Sequence, residues 1–122
     1  MAKILQDWLK TVDPIDRDKE HGIVVHFNTR MDIKAVEVVS VGIVNSSIVH
    51  PREVFRRAIA AGSVSIVLAH NHPSGICEPS YEDIAITQKL RSVGNIVGIN
   101  FIDHIIFSDS GSYSFRRNGL LD

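Results

Sequence analysis

The chain has 122 residues, 44% of them apolar and 22% charged, with a formal net charge of −1. That length fits one domain with a real core, and the near-neutral charge excludes the broad basic field behind nonspecific nucleic-acid binding. The lone cysteine, Cys77, rules out an internal disulfide and suits a reducing compartment; with no membrane-length apolar run and no secretory pattern, the expected location is cytoplasmic.

Ala2 to Val12 carries Ile4, Leu5, Trp8, Leu9 and Val12 at helical spacing, which predicts an amphipathic helix. Asp13-Pro14 should stop it, and the polar stretch Asp16 to His21 reads as a connector. Gly22 to Thr29 and Ile33 to Val41 read as two strands joined by a turn at Arg30-Met31-Asp32, hence a hairpin. Asn45-Ser46-Ser47 marks a further turn. Pro51 suits the first position of a helix running to Ala61, with Val54, Phe55, Ala58 and Ile59 as its buried stripe and Gly62 just past its end.

Val64 to Ala69 is a short apolar run, the pattern of a buried strand. A long helix is expected from Ser80 to about Ser92, with Gly94 and Gly98 at its exit. Asn100 to Phe107 reads as a strand, Asp109-Ser110-Gly111 as a turn, and Ser112 to Arg116 as a last strand. With no repeat or low-complexity tract, the pattern predicts an α+β (mixed α/β) fold. Residues 1–15 would be a helix and connector, and residues 16–122 the domain proper.

The most informative stretch is His70-Asn71-His72-Pro73-Ser74-Gly75-Ile76-Cys77-Glu78-Pro79-Ser80-Tyr81-Glu82-Asp83. If the preceding strand continues through His72, both imidazoles face the same side, because strand side chains alternate. Two imidazoles and a carboxylate suit a divalent metal of intermediate softness. Catalytic zinc characteristically takes three protein ligands and leaves a fourth position open, so His70, His72 and Asp83 are the expected Zn2+ ligands. A purely structural reading exists for two of these residues: Ser80-x-x-Asp83 ahead of Ile84, Ile86 and Leu90 is also a capping-box-like helix start. It does not account for the paired histidines, and both roles can coexist.

His70-x-His72, seven residues, Ser80, two residues, Asp83 resembles the JAMM (MPN-plus, or JAB) metalloprotease signature. Val49-His50-Pro51-Arg52-Glu53-Val54, Leu68 to Gly75 and Asp103-His104-Ile105-Ile106 extend the likeness to the C-terminal domain of bacterial RadC proteins, from about Asp16 to Leu121. The resemblance implies an MPN/JAB, cytidine-deaminase-like fold, a mixed sheet flanked by helices. The helix-hairpin-helix region that such proteins carry ahead of this domain has no counterpart in the first twenty residues.

The resemblance also implies a catalytic glutamate on an earlier strand, matched here to Glu37, the only acid between Asp32 and Glu53. Its alternative is an edge-strand glutamate facing water. In the implied chemistry zinc activates a water and polarises a carbonyl, Glu37 takes and returns a proton, and Ser80 hydrogen-bonds the developing oxyanion. Together these describe hydrolysis of a peptide or isopeptide-like bond in a peptide or protein substrate. The alternative is a RadC-type DNA-repair accessory protein, associating weakly with DNA or a repair protein. His104 beside Asp103 would be either a structural histidine or a residue orienting a ligand. His50 is expected at a helix entry, His26 as a structural strand residue, and Cys77 as a free loop thiol rather than a zinc ligand. Glu53 and Arg57 are spaced for a surface pair.

Overall fold

The computed structural model describes residues 1–12, 16, 18–42 and 49–121. The expected helix stop at Asp13-Pro14 and turn at Asn45-Ser46-Ser47 lie outside the described residues. The elements run α1 (Ala2–Leu9), β1 (Glu20–Phe27), β2 (Ile33–Gly42), α2 (Pro51–Ala60), β3 (Ser65–Asn71), α3 (Tyr81–Val97), β4 (Asn100–Phe107) and β5 (Ser112–Ser114). The strands form one mixed sheet in the order β2-β1-β3-β4-β5. Only β3 and β4 are parallel, joined by α3 as the crossover; the other neighbours are antiparallel. This is the expected α+β architecture.

Alternation splits the sheet into two faces. Val24, Ile66, Leu68 and Ile106 pack with Val54, Phe55 and Ala58 of α2 and with Ile86 and Leu90 of α3. Ile23, Val25, Val67, Ala69, Ile105 and Phe107 pack on the other face with Leu5 and Leu9 of α1. Covered on both faces, β3 is buried at all seven positions, whereas β2, an edge strand, is largely half-exposed or exposed. No helix among the described residues is long and apolar enough to cross a membrane.

Five element details differ from the expectations, the first being that β1 opens at Glu20, inside the expected connector, and ends at Phe27 rather than Thr29. The first helix ends at Leu9 rather than Val12, and it docks through the Leu5/Leu9 pair, one turn apart, leaving Ile4 50% exposed. In α2 the stripe is Val54, Phe55 and Ala58; Ile59 is turned outward and 62% exposed. Five residues separate the expected end of α3 at Ser92 from its observed end at Val97. Gly94 lies inside the helix, and Gly98 alone ends it, in the left-handed conformation at φ 78°. The last strand stops at Ser114 because the Asp103 carboxylate accepts from the Ser114 hydroxyl and the Arg116 amide, pulling the chain into a turn.

Gly94 is required for packing rather than for conformation. A Cβ there would stand 2.6 Å from the Ile99 carbonyl oxygen, a backbone atom that cannot rotate away. Gly94→Ala should therefore destabilise the fold by about 1–3 kcal/mol, the usual cost of overpacking. Urea unfolding of the two proteins checks this; equal midpoints would show that the α3–β4 connection yields freely.

Candidate metal centre

The site is built at the end of β3. Strand alternation places Ile66, Leu68, His70 and His72 on the face toward α3. The His72 amide still donates to the Phe107 carbonyl at 2.9 Å, so the backbone stays extended through the second histidine. The chain then turns back through Gly75, at φ 88°, and reaches α3.

There Ser80 and Asp83 form a reciprocal cap. The Ser80 hydroxyl accepts from the Asp83 amide at 3.1 Å, and the Asp83 carboxylate accepts from the Ser80 amide at 2.8 Å. Capping and site roles thus coexist in one residue. The cap uses one carboxylate oxygen and aims the first turn of α3 at the strand end.

His70, His72 and Asp83 converge, with ligand atoms all within 4.8 Å of one another. His70 Nε2 lies 2.9 Å from His72 Nε2 and 3.3 Å from an Asp83 oxygen, and His72 Nε2 lies 3.8 Å from the other oxygen. His72 Nδ1 is 2.7 Å from the Ile76 carbonyl. A carbonyl only accepts, so Nδ1 carries the hydrogen and the neutral ring presents a bare lone pair at Nε2. A carboxylate and a bare imidazole nitrogen facing one another at 3.8 Å leave room for a shared cation. This donor set, two imidazoles and one carboxylate, fits a metal ion with an open coordination position. His70 and Asp83 are buried, while His72 borders a cleft of about 310 Å³ lined also by Asp18, Pro73 and Ser108.

The electrostatics agree. Burial pushes the Asp83 carboxyl up, but the neighbouring His70 ring, with the Ser80 amide, outweighs it and holds the group below the ordinary carboxylate range. Burial, reinforced by the neighbouring His70, holds His104 well below the ordinary imidazole range.

His104 is the residue next to the triad. Its Nε2 lies 2.8 Å from His70 Nδ1, its Nδ1 lies 2.7 Å from the Thr87 hydroxyl, and its ring stacks on Phe115 at 4.5 Å. Asp103, in contrast, receives the His104 amide and closes the β4–β5 end. His50 caps α2, accepting from the Arg52 amide at 3.0 Å. Cys77 is a free thiol beside Gly75 and Ser108, outside the ligand cluster. Glu53 pairs with Arg56 rather than Arg57.

Glu37 is placed two strands from His70. It stands in register with Val24 and so with Leu68, whereas the row of His70 contains Gly22 and Ser40. Its carboxylate contacts buried His26 at 2.5 Å and Arg57 at 3.7 Å. The His26 Nε2 approach is close but forms no hydrogen bond; His26 Nδ1 is held by Ser63 Oγ at 2.7 Å.

Two further residues bear on the triad's surroundings. Thr87 is four residues beyond Asp83 on α3 and donates to its carbonyl at 2.8 Å; that helical spacing was the available signal. Glu20 opens β1. Gly22 pairs with His70, and Glu20, two residues earlier on β1, shares the Gly22 face of the sheet by strand alternation. Asn71, between the two histidines, clamps the chain on both sides of Glu20: its side chain accepts from the His21 amide at 2.6 Å and donates to the Lys19 carbonyl at 3.0 Å. No local pattern at Glu20 signals this, because pairing register is a tertiary property.

The family model described as RadC-like JAB domain matches residues 2–120. A UPF0758 protein of Pelodictyon phaeoclathratiforme is 47% identical over 106 residues, covering 87% of this chain and 48% of the relative. UPF0758 proteins of Caldanaerobacter subterraneus and Alkaliphilus oremlandii are 48% and 51% identical over 104 residues, each covering 85% of this chain and 45% of the relative. The chain thus spans about half the length of the curated relatives it matches.

Proposed function

The chain belongs to the RadC-like JAB domain family, and from that premise we propose that it is a zinc-dependent hydrolase acting on a peptide or isopeptide-like bond. The observation that carries this reading is the convergence of His70, His72 and Asp83 at a buried strand end that is open on one side to a cleft. Zinc suits two imidazoles and a carboxylate, and when bound it supplies a Lewis acid that activates water and polarises a carbonyl.

The protein's own groups would do the rest. Glu20, half-buried and two residues before the strand partner of His70, is the acid we assign as proton acceptor, with Asn71 holding its backbone in place. The carboxylate would take the water proton as attack proceeds and return it to the departing amine. Glu37, the alternative, lies two strands from His70 and neighbours His26 and Arg57. The Ser80 hydroxyl accepts from the Asp83 amide, which leaves its own hydrogen to donate to a developing oxyanion.

Metal analysis followed by a peptide and isopeptide library screen, with and without chelator, tests the reading. About one zinc per chain and chelator-sensitive cleavage are the expected results. A fully zinc-loaded protein that cleaves nothing, or cleavage indifferent to chelator, would overturn it.

A further inference from the structure

We infer that Thr87 and His104 form a hydrogen-bond relay of fixed direction that keeps the His70 proton on Nδ1 and its Nε2 lone pair bare toward His72 and Asp83. This positioning role rests on the metal-site reading above, but its direction follows from the hydrogen bonds and the burial of His104. The Asp83 carbonyl can only accept, so Thr87 spends its single hydroxyl hydrogen there. Thr87 Oγ1 must then accept from His104, so the proton of that ring is on Nδ1. His104 is fully buried, stacked on Phe115 and bonded at both nitrogens, an environment that favours the neutral ring. Its Nε2 is therefore an acceptor, and the partner 2.8 Å away, His70 Nδ1, must be the donor.

The relay prevents the site from sealing itself. With the opposite tautomer, His70 would present an Nε2 hydrogen toward the Asp83 oxygen 3.3 Å away, and two ligands would satisfy each other with no metal. The Thr87 hydroxyl forbids this, and it also ties the relay to the helix turn that carries Asp83. One buried side chain thus sets the ligating nitrogen of one ligand and anchors the backbone of another.

The test is a two-bond proton–nitrogen spectrum of the metal-free protein at about pH 8.5, two units above the ordinary imidazole value, together with zinc affinity by chelator competition. Wild type should show Nδ1 protonated in both His70 and His104. Thr87→Val, which keeps the shape and removes the hydroxyl, should mix the tautomers of both rings and weaken zinc binding about ten- to a hundredfold; Thr87→Ser should restore both. An Nε2 proton on either wild-type ring would overturn the relay, even if Thr87→Val fails to fold. So would a folded Thr87→Val with unchanged tautomers and affinity. A wild type that takes up no zinc would count against the metal site instead, while its spectrum still decides the relay.

Discussion

His72→Ala should lower zinc affinity by about a hundred- to several hundredfold while leaving the metal-free fold intact. Structural zinc sites contribute roughly 10–16 kcal/mol over four ligands, so one ligand is worth about 2.5–4 kcal/mol. The fold should tolerate the change because His72 lies at the strand end, where its backbone amide, not its ring, continues the ladder to Phe107. The ring makes one hydrogen bond outside the triad, to the Ile76 carbonyl, and a single such bond contributes only about 1 kcal/mol. Elemental analysis after dialysis and a thermal melt of the apo protein separate the two effects. Equal zinc in mutant and wild type would remove the site assignment.

Glu20→Gln should retain zinc and lose about a hundred- to ten-thousandfold in kcat, the range general-base catalysis supplies. The substitution keeps size and hydrogen-bonding reach and removes only the capacity to take a proton. Glu37→Gln is the companion measurement. Its carboxylate faces His26 and Arg57, so its loss should lower stability and leave turnover within a few fold. Steady-state hydrolysis on zinc-matched samples distinguishes them. Full activity in Glu20→Gln with loss in Glu37→Gln would reverse the assignment and require β2 to shift toward the histidines.

How much was legible depends on how local each feature is. The two strands of the hairpin, the Pro51 helix with Gly62 beyond it, and β4 from Asn100 to Phe107 follow from short-range periodicity and turn chemistry, and the structure has them. The triad was legible for the same reason: His70 and His72 share a face by strand alternation, and Asp83 is fixed by its own capping box. The far end of α3 was misplaced because Gly94 resembles a terminator in sequence, yet it is kept small by the Ile99 carbonyl packed against it.

The fold class, the strand-end histidines and the helix-start carboxylate are therefore written in local sequence, since each depends on residues within a few positions of one another. Which side chains surround them is a matter of long-range packing. His104 reaches His70 from a strand 34 residues away in sequence, and Asn71 holds the segment around Glu20 from 50 residues away. Sheet order and pairing register arise from burial summed over whole faces, and a slip of one residue would turn every side chain to the opposite face. No motif carries that information, which is why Glu37 stood out in the sequence although the pairing register sets it in the row of Leu68 rather than that of His70.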